Sequence, residues 1–309
     1  MPQLLLNLQG KTRTRMLMKP IVIGLGEALW DMLPEGKRIG GAPANFAYHA
    51  SAQGMDGRVV SAVGHDELGA EALSALKQKG LGLELQEVDF PTGTVAVSLD
   101  SKGVPQYDIR QGVAWDNIAF TDHLSSLSRE AKAVCWGTLA QRSPVSRNTI
   151  NRFLDTMPDG EGRLKVFDMN LRQNFYSKEI VESSMKRCNI LKLNDEELLI
   201  MQRMFGLESL EQEAACRRLM ETYGIGMTAL TCGVDGSCIF YDAGASFLPT
   251  PRVTVADTVG AGDSFTATLI ASLLKGCAVK DAHKRAVDTS AFVCSQHGAM
   301  PNVPENLRN

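Results

Sequence analysis

What most limits the fold of this chain is a rhythm. Short apolar runs rich in β-branched residues alternate with stretches whose apolar positions recur every three to four residues. A strand apolar on both faces needs cover on both, which a parallel sheet receives from its crossover helices. The alternation therefore predicts an α/β fold of βαβ units, a mainly parallel central sheet between helical layers. Strands are read at 21–26, 58–63, 131–137, 164–168, 190–194 and 227–231. Helices are read at 44–53, 68–79, 146–157, 195–205, 210–223, 264–274 and 281–296. Residues 27–39 and 94–112 break the rhythm: they are strand-like without a following helix and predict a separate small sheet.

A length of 309 residues suits one large α/β domain with an accessory element. The net charge is −3, from 32 basic and 35 acidic residues, so there is no footprint for nucleic acid. No apolar run reaches the length that spans a bilayer, so no membrane partner is expected. Seven cysteines without a CxxC pair read as buried thiols of a reducing compartment, which predicts a cytoplasmic protein. The five histidines show no metal-ligand spacing. In residues 1–18 the apolar run precedes the basic residues, the reverse of a signal peptide. Gly10-Lys11-Thr12 imitates the end of a P-loop, but Leu5 stands where its first glycine belongs. This segment reads as a loose extension ahead of a single domain over 19–309. Gly24-Leu25-Gly26 is not a dinucleotide fingerprint, because the third glycine would fall on Leu29 and Glu27 would face the pyrophosphate.

The chemistry concentrates in Asp257-Thr258-Val259-Gly260-Ala261-Gly262-Asp263-Ser264-Phe265. Three small residues leave an acid at the mouth of an apolar helix. A helix start exposes unpaired N–H groups and the positive end of its dipole, which attract an anion. An aspartate there would repel a bound phosphate, so Asp263 suggests a proton acceptor beside a transferring phosphoryl group. Taken alone, GAGD is also an N-cap aspartate before an ordinary helix.

The nine residues together resemble the C-terminal motif of the ribokinase-like (PfkB) family of carbohydrate kinases. Gly40-Gly41-Ala42-Pro43-Ala44-Asn45 resembles the family's N-terminal motif, in the family's order and about 220 residues earlier. The resemblance runs from about residue 20 to 304. It implies a ribokinase-like three-layer α/β/α sandwich whose small β lid covers a sugar. It also implies transfer of the ATP γ-phosphoryl group to a sugar hydroxyl, a reaction that depends mainly on positioning and charge neutralisation. The implied small molecules are ATP with Mg²⁺ and the sugar, and a homodimer through the lid is compatible with it.

Residue by residue, the resemblance makes Asp263 the base, with Gly260, Ala261 and Gly262 shaping an anion hole from the amides of 261–263. Asp257 and Thr258 match positions that hold a monovalent cation such as K⁺, completed by carbonyls near Val293, Gln296 and Gly298. Without the resemblance they are a turn aspartate and a hydroxyl cap. Asp31, Gly40, Gly41 and Asn45 match the sugar end, where a polyol needs oriented donors and acceptors. Asn194 and Glu197 match an N-x-x-E motif that arranges Mg²⁺ and phosphate through water, and are equally a helix N-cap with acidic first turn. Lys192 is expected to face the phosphates. Asp168-Met169-Asn170-Leu171-Arg172 resembles the family's D-x-N-x-R segment, with Arg172 meeting a phosphate or the sugar. Thr231, Gly233 and Gly236 match a nucleotide-contacting loop and would otherwise be a turn before a strand at 238–241. The adenine pocket is expected between 225–260 and 282–296.

GEALWDMLP followed by GGAPANFA most resembles bacterial fructokinases, whereas a GGKGAN would resemble ribokinase. Tyr107, Arg110 and Trp115 lie where sugar and keto-acid kinases differ. Arg110 is able to pair with a carboxylate or phosphate, which keeps 2-keto-3-deoxygluconate and phosphorylated hexoses as alternatives to fructose. A non-catalytic ligand-binding or scaffold relative would have lost the base, the glycines or the N-x-x-E acid, and none is lost here.

Overall fold

The computed structural model describes residues 18–99, 105–160 and 162–308. The expected extension over 1–18 lies outside them except for the exposed Met18. The chain enters as β1 (Ile21–Leu25), forms the hairpin β2 (Leu29–Leu33) and β3 (Gly36–Gly40), and returns as α1 (Ala42–Ala52). Next come β4 (Asp56–Gly64), α2 (Glu67–Gln78), β5 (Gly82–Val88), the hairpin β6 (Gly93–Leu99) and β7 (Pro105–Ile109), and α3 (Asp122–Glu130). β8 (Ala133–Trp136), α4 (Pro144–Thr156), β9 (Leu164–Asp168), α5 (Lys178–Met185), β10 (Ile190–Asn194) and α6 (Asp195–Phe205) continue the alternation. α7 (Gln212–Tyr223), β11 (Met227–Thr231), β12 (Ser237–Tyr241), β13 (Gly244–Leu248), α8 (Ala261–Leu274) and α9 (Val279–Cys294) complete it.

One nine-stranded sheet has the order β13-β12-β11-β10-β9-β8-β1-β4-β5, parallel except for β12, which runs antiparallel to both β11 and β13 near one edge. Alternate side chains of its strands feed two cores. Ile21, Ile23 and Leu25 of β1 pack into the layer of α3 to α7 with Phe153 and Leu198, while Val22 faces Phe46, Phe265 and Ile270 of α1 and α8. Both faces are covered, which is why the strands read as continuous apolar runs. Each such fully buried side chain contributes about 1.5–3 kcal/mol relative to exposure. The small sheet, order β3-β2-β6-β7, is built from the two segments that broke the rhythm. The Trp30 indole on β2 anchors it by donating to the Leu68 carbonyl of α2 at 2.9 Å.

β9, β10, β11 and α6 begin and end at the expected residues. α8 does not: it opens at Ala261 rather than 264, so Asp263 lies inside the first turn instead of ahead of it. β5, α3, α5 and β13 were not read from the sequence. β5 is only half buried at the sheet edge and α5 has eight residues, so their periodic signals are short or blurred. No helix among the described residues is long and apolar enough to cross a membrane.

Candidate active site

The strand order reverses between β1 and β8: β4 and β5 are added on one side of β1, and β8 to β11 on the other. Loops leaving neighbouring strands at such a switch diverge and open a crevice at the carboxyl ends. A cavity lies there, lined by Glu27 beyond β1, Pro43 of α1, Trp136 of β8, Asp168 and Asn170 at the end of β9, and Asp263. Five separate segments of the chain supply its lining.

Gly260 starts α8 in the left-handed region, φ 79°, and no side chain caps the helix. A Cβ at Gly260 would fall 2.7 Å from Ala299 Cα, so both the backbone angle and the space require glycine. The first-turn amides of Gly262 and Asp263 lack intrahelical acceptors. Ala261 N–H instead reaches the Thr258 carbonyl at 3.3 Å, so of the three amides expected to form an anion hole one is engaged in a turn.

Asp263 Oδ2 accepts a 2.8 Å hydrogen bond from Asn45 Nδ2 on α1. Burial and then the charge of Asp168 push the Asp263 carboxyl up to about 6, against Asn45, Lys192 and Arg172, which favour the ionised form. A carboxylate with that affinity is mostly ionised at neutral pH yet poised to take a proton. Lys192 lies on β10, in register with Asp168 of β9. Its ammonium is buried, 3.1 Å from Asp168 Oδ1, and 3.1 Å from where a Cβ on Gly262 would sit. Burial alone would lower its proton affinity, but Asp168, Glu197 and Asp263 outweigh it, and the ammonium stays charged beneath the start of α8. The Thr266 hydroxyl lies 3.1 Å from Asp168 Oδ2 and 2.9 Å from the Gly262 carbonyl, tying that pair to α8.

At the lid side, Asp31 on β2 is pushed up to about 6 by burial, opposed by Arg172 and Arg38. Gly40 passes so close that a Cβ would stand 2.7 Å from Asp31 Oδ2. Gly41, at φ 107°, lets the chain turn into α1, and any side chain there would strike the Glu27 carbonyl at 2.3 Å. Arg172 is exposed after β9 and donates to its neighbour's Leu171 carbonyl at 3.1 Å. Its charge nevertheless lowers the proton affinities of Glu27, Asp31 and Asp263 together.

The helix-cap reading of Asn194 and Glu197 is realised in full. Asn194 Oδ1 accepts from Glu197 N and Glu197 Oε2 from Asn194 N, both at 2.8 Å, a reciprocal capping box. Glu197 Oε1 also accepts from Leu171 N at 2.9 Å, which ties the D-x-N-x-R segment to α6. Thr231 pairs in register with Asn194 at the end of β11, and Gly233 and Gly236 form the turn into β12, with Cys232 N–H on the Gly236 carbonyl at 2.8 Å. Asp257 is a turn aspartate: Oδ1 accepts from Val259 N at 3.0 Å and Oδ2 from Gly298 N at 3.1 Å. Arg38 of β3 stands 3.7 Å from that Oδ2, a link from the lid to the turn before α8. Thr258 is exposed beside it.

Glu27 is the site residue that sequence reasoning used only as an objection to a dinucleotide site. It is buried, and burial pushes its carboxyl up to about 7 against the backbone N–H groups of Glu27 and Ala42 and the charge of Arg172. Its Oε2 has no hydrogen-bond partner among the described residues. The available signal was an acid embedded between Gly24-Leu25-Gly26 and Ala28-Leu29-Trp30, where little else is polar.

The chain matches the model of the pfkB family carbohydrate kinases across residues 35–306. It is 27% identical to a putative sugar kinase of Pyrococcus horikoshii over 82% of this chain and 83% of that one. The crystal structure of that kinase superposes with a TM-score of 0.78, covering 91% of this chain and 93% of the other, and has also been solved in complex with ATP. An ATP-dependent 6-phosphofructokinase of Thermoanaerobacterium thermosaccharolyticum is 25% identical over 92% and 91% of the two chains. A fructokinase of Klebsiella pneumoniae is 28% identical over 81% and 83%.

Proposed function

The chain belongs to the pfkB family of carbohydrate kinases, and on that premise we propose that it transfers the γ-phosphoryl group of ATP to a hydroxyl of fructose. The observation that carries the reading is Asp263: a carboxylate poised near neutral pH, held by Asn45, one residue beyond a free helix-start amide. The sugar sits between the lid and α1, with Asp31 and Asn45 orienting its hydroxyls. Asp263 takes the proton of the attacking hydroxyl, whose oxygen bonds to the γ-phosphorus as the bridging oxygen leaves with ADP. The Gly262 and Asp263 amides and the Lys192 ammonium neutralise the charge that develops.

Asn194 and Glu197 would help hold Mg²⁺ brought in with ATP, through water as that hydrated cation prefers, and the ion would supply neutralisation of phosphate charge. Glu197 is buried and its two oxygens are turned to the backbone of Asn194 and Leu171, so it would act on such an ion through water. Asp257 has lone pairs left beyond its two N–H partners, and with the Thr258 hydroxyl it suits a monovalent cation that stiffens the turn before α8. Thr231, Gly233 and Gly236 border the nucleotide.

Fructose is favoured by GEALWDMLP with GGAPANFA and by the Klebsiella relative. A phosphorylated hexose is the second reading, favoured by the 6-phosphofructokinase relative and by an exposed Arg172 whose charge reaches three site acids. ADP release measured with fructose, fructose 6-phosphate, ribose and 2-keto-3-deoxygluconate tests both. A kcat/KM for fructose below that for any other member of the panel overturns the first reading, and no turnover of any sugar overturns the proposal.

A further inference from the structure

Helix α1 reaches the start of α8 at two places one turn apart. At the first, Asn45 donates to Asp263 directly. At the second, four residues on and on the same face, His49 acts through another segment. Its Nε2 lies 2.8 Å from the Ala299 carbonyl, which only accepts, so the ring carries its proton on Nε2. Ala299 in turn lies against Gly260: a Cβ on that glycine would stand 2.7 Å from Ala299 Cα and 2.8 Å from its carbonyl oxygen. Asp257 fixes the preceding residue by accepting from Gly298 N. The strap 298–301 is thus wedged between α1 and the turn from which α8 starts. Its next two carbonyls are also held, Met300 by Lys79 Nζ at 2.9 Å and Pro301 by the Tyr48 hydroxyl at 2.8 Å.

His49 is fully buried, and its Nδ1 has no partner among the described residues. A bare imidazole nitrogen in a core carries a desolvation cost that leucine would avoid while filling similar space. What the imidazole adds is its hold on Ala299. Burial pushes its pKa down to about 4, so the ring is neutral and its single N–H is committed to that carbonyl at physiological pH.

We propose that His49 is a positioning residue for phosphoryl transfer: through Ala299 it holds Gly260, and with it the first-turn amides and Asp263, in place. Asn45 sets the side chain of the base and His49 sets the backbone beneath it. The kinetic part of this inference rests on the sugar-kinase reading above. The positional part does not.

The test compares His49→Leu, His49→Gln and Tyr48→Phe in the full chain. The glutamine amide is able to donate to the same carbonyl, and Tyr48→Phe loosens the strap two residues farther from Gly260. Because small misplacements of reacting groups cost orders of magnitude, His49→Leu should lower kcat roughly tenfold or more, with both KM values little changed. His49→Gln should recover most of that loss, and Tyr48→Phe should lower Tm while leaving kcat near wild type. Independently of turnover, amide hydrogen exchange of residues 259–264 should quicken in His49→Leu and not in Tyr48→Phe. Should His49→Leu fail to fold, His49→Asn, whose amide is too short to reach Ala299, takes its place under the same expectations. Wild-type exchange at 259–264 in the leucine or asparagine variant overturns the proposal. So does an equal kcat loss in Tyr48→Phe at matched stability. A wild-type protein that phosphorylates no sugar defeats the kinase reading, and the exchange result still decides His49.

Discussion

Replacing Glu27 with glutamine should make the protein more stable, and increasingly so as pH rises. The folded carboxyl titrates at about 7 against an ordinary 4.5, so folding raises its proton affinity by about 2.5 pH units. Between those values the folded state holds a proton that the unfolded chain has released. Stability from this group is therefore complete below pH 4.5 and is lost as pH rises through 7. At 1.36 kcal/mol per unit, the full loss is about 3 kcal/mol above pH 7. Glutamine keeps the shape and an acceptor oxygen for the start of α1 but does not titrate. The variant should match wild type near pH 4.5 and exceed it by about 2–3 kcal/mol at pH 8, which in a chain of this size is several degrees in Tm. Asp31 and Asp263 shift in the same direction but remain in both proteins, so their contributions largely cancel in the difference. Thermal unfolding from pH 4.5 to 8.5 at constant ionic strength reads it. Parallel Tm curves for the two proteins would refute a buried acid at this position.

Three further outcomes follow from the same geometry. Asp263→Asn should lower kcat at least ~10²-fold while ATP and sugar still bind, and an unchanged kcat removes the base role. Asp31→Ala or Asn45→Ala should raise the sugar KM by about 1–3 kcal/mol and the ATP KM far less, because a buried polar partner is left unpaired; equal effects on both substrates point to a folding defect instead. Activity should rise several-fold when K⁺ replaces tetramethylammonium at fixed ionic strength, and Asp257→Ala should abolish the response. Because screening depends only on ionic strength, equal rates in the two salts leave Asp257 a structural turn.

Local signals carried much of this protein. The strands ending at Asp168, Asn194 and Thr231 were legible because both faces are buried and the apolar run is continuous. The Asn194–Glu197 cap was legible because both partners lie within one helical turn. The Asp257–Phe265 motif was legible because its backbone demands and its acid are contiguous. The sequence also determined which two segments would leave the layered pattern and form the small sheet.

Tertiary structure decided what depends on neighbours distant in the chain. The start of α8 moved to Ala261 because small residues carry no periodic signal, while contact with Ala299 helps define the left-handed turn at Gly260. Lys192 became a buried ion-pair partner only when β9 and β10 aligned it with Asp168. Asn45 meets Asp263 across 218 positions and His49 meets Ala299 across 250, separations over which no periodicity or cap extends. Glu27 follows the same logic. Its residue type was visible from the start, but a proton affinity near neutrality comes from burial and the charges around it, and those are properties of the packed fold.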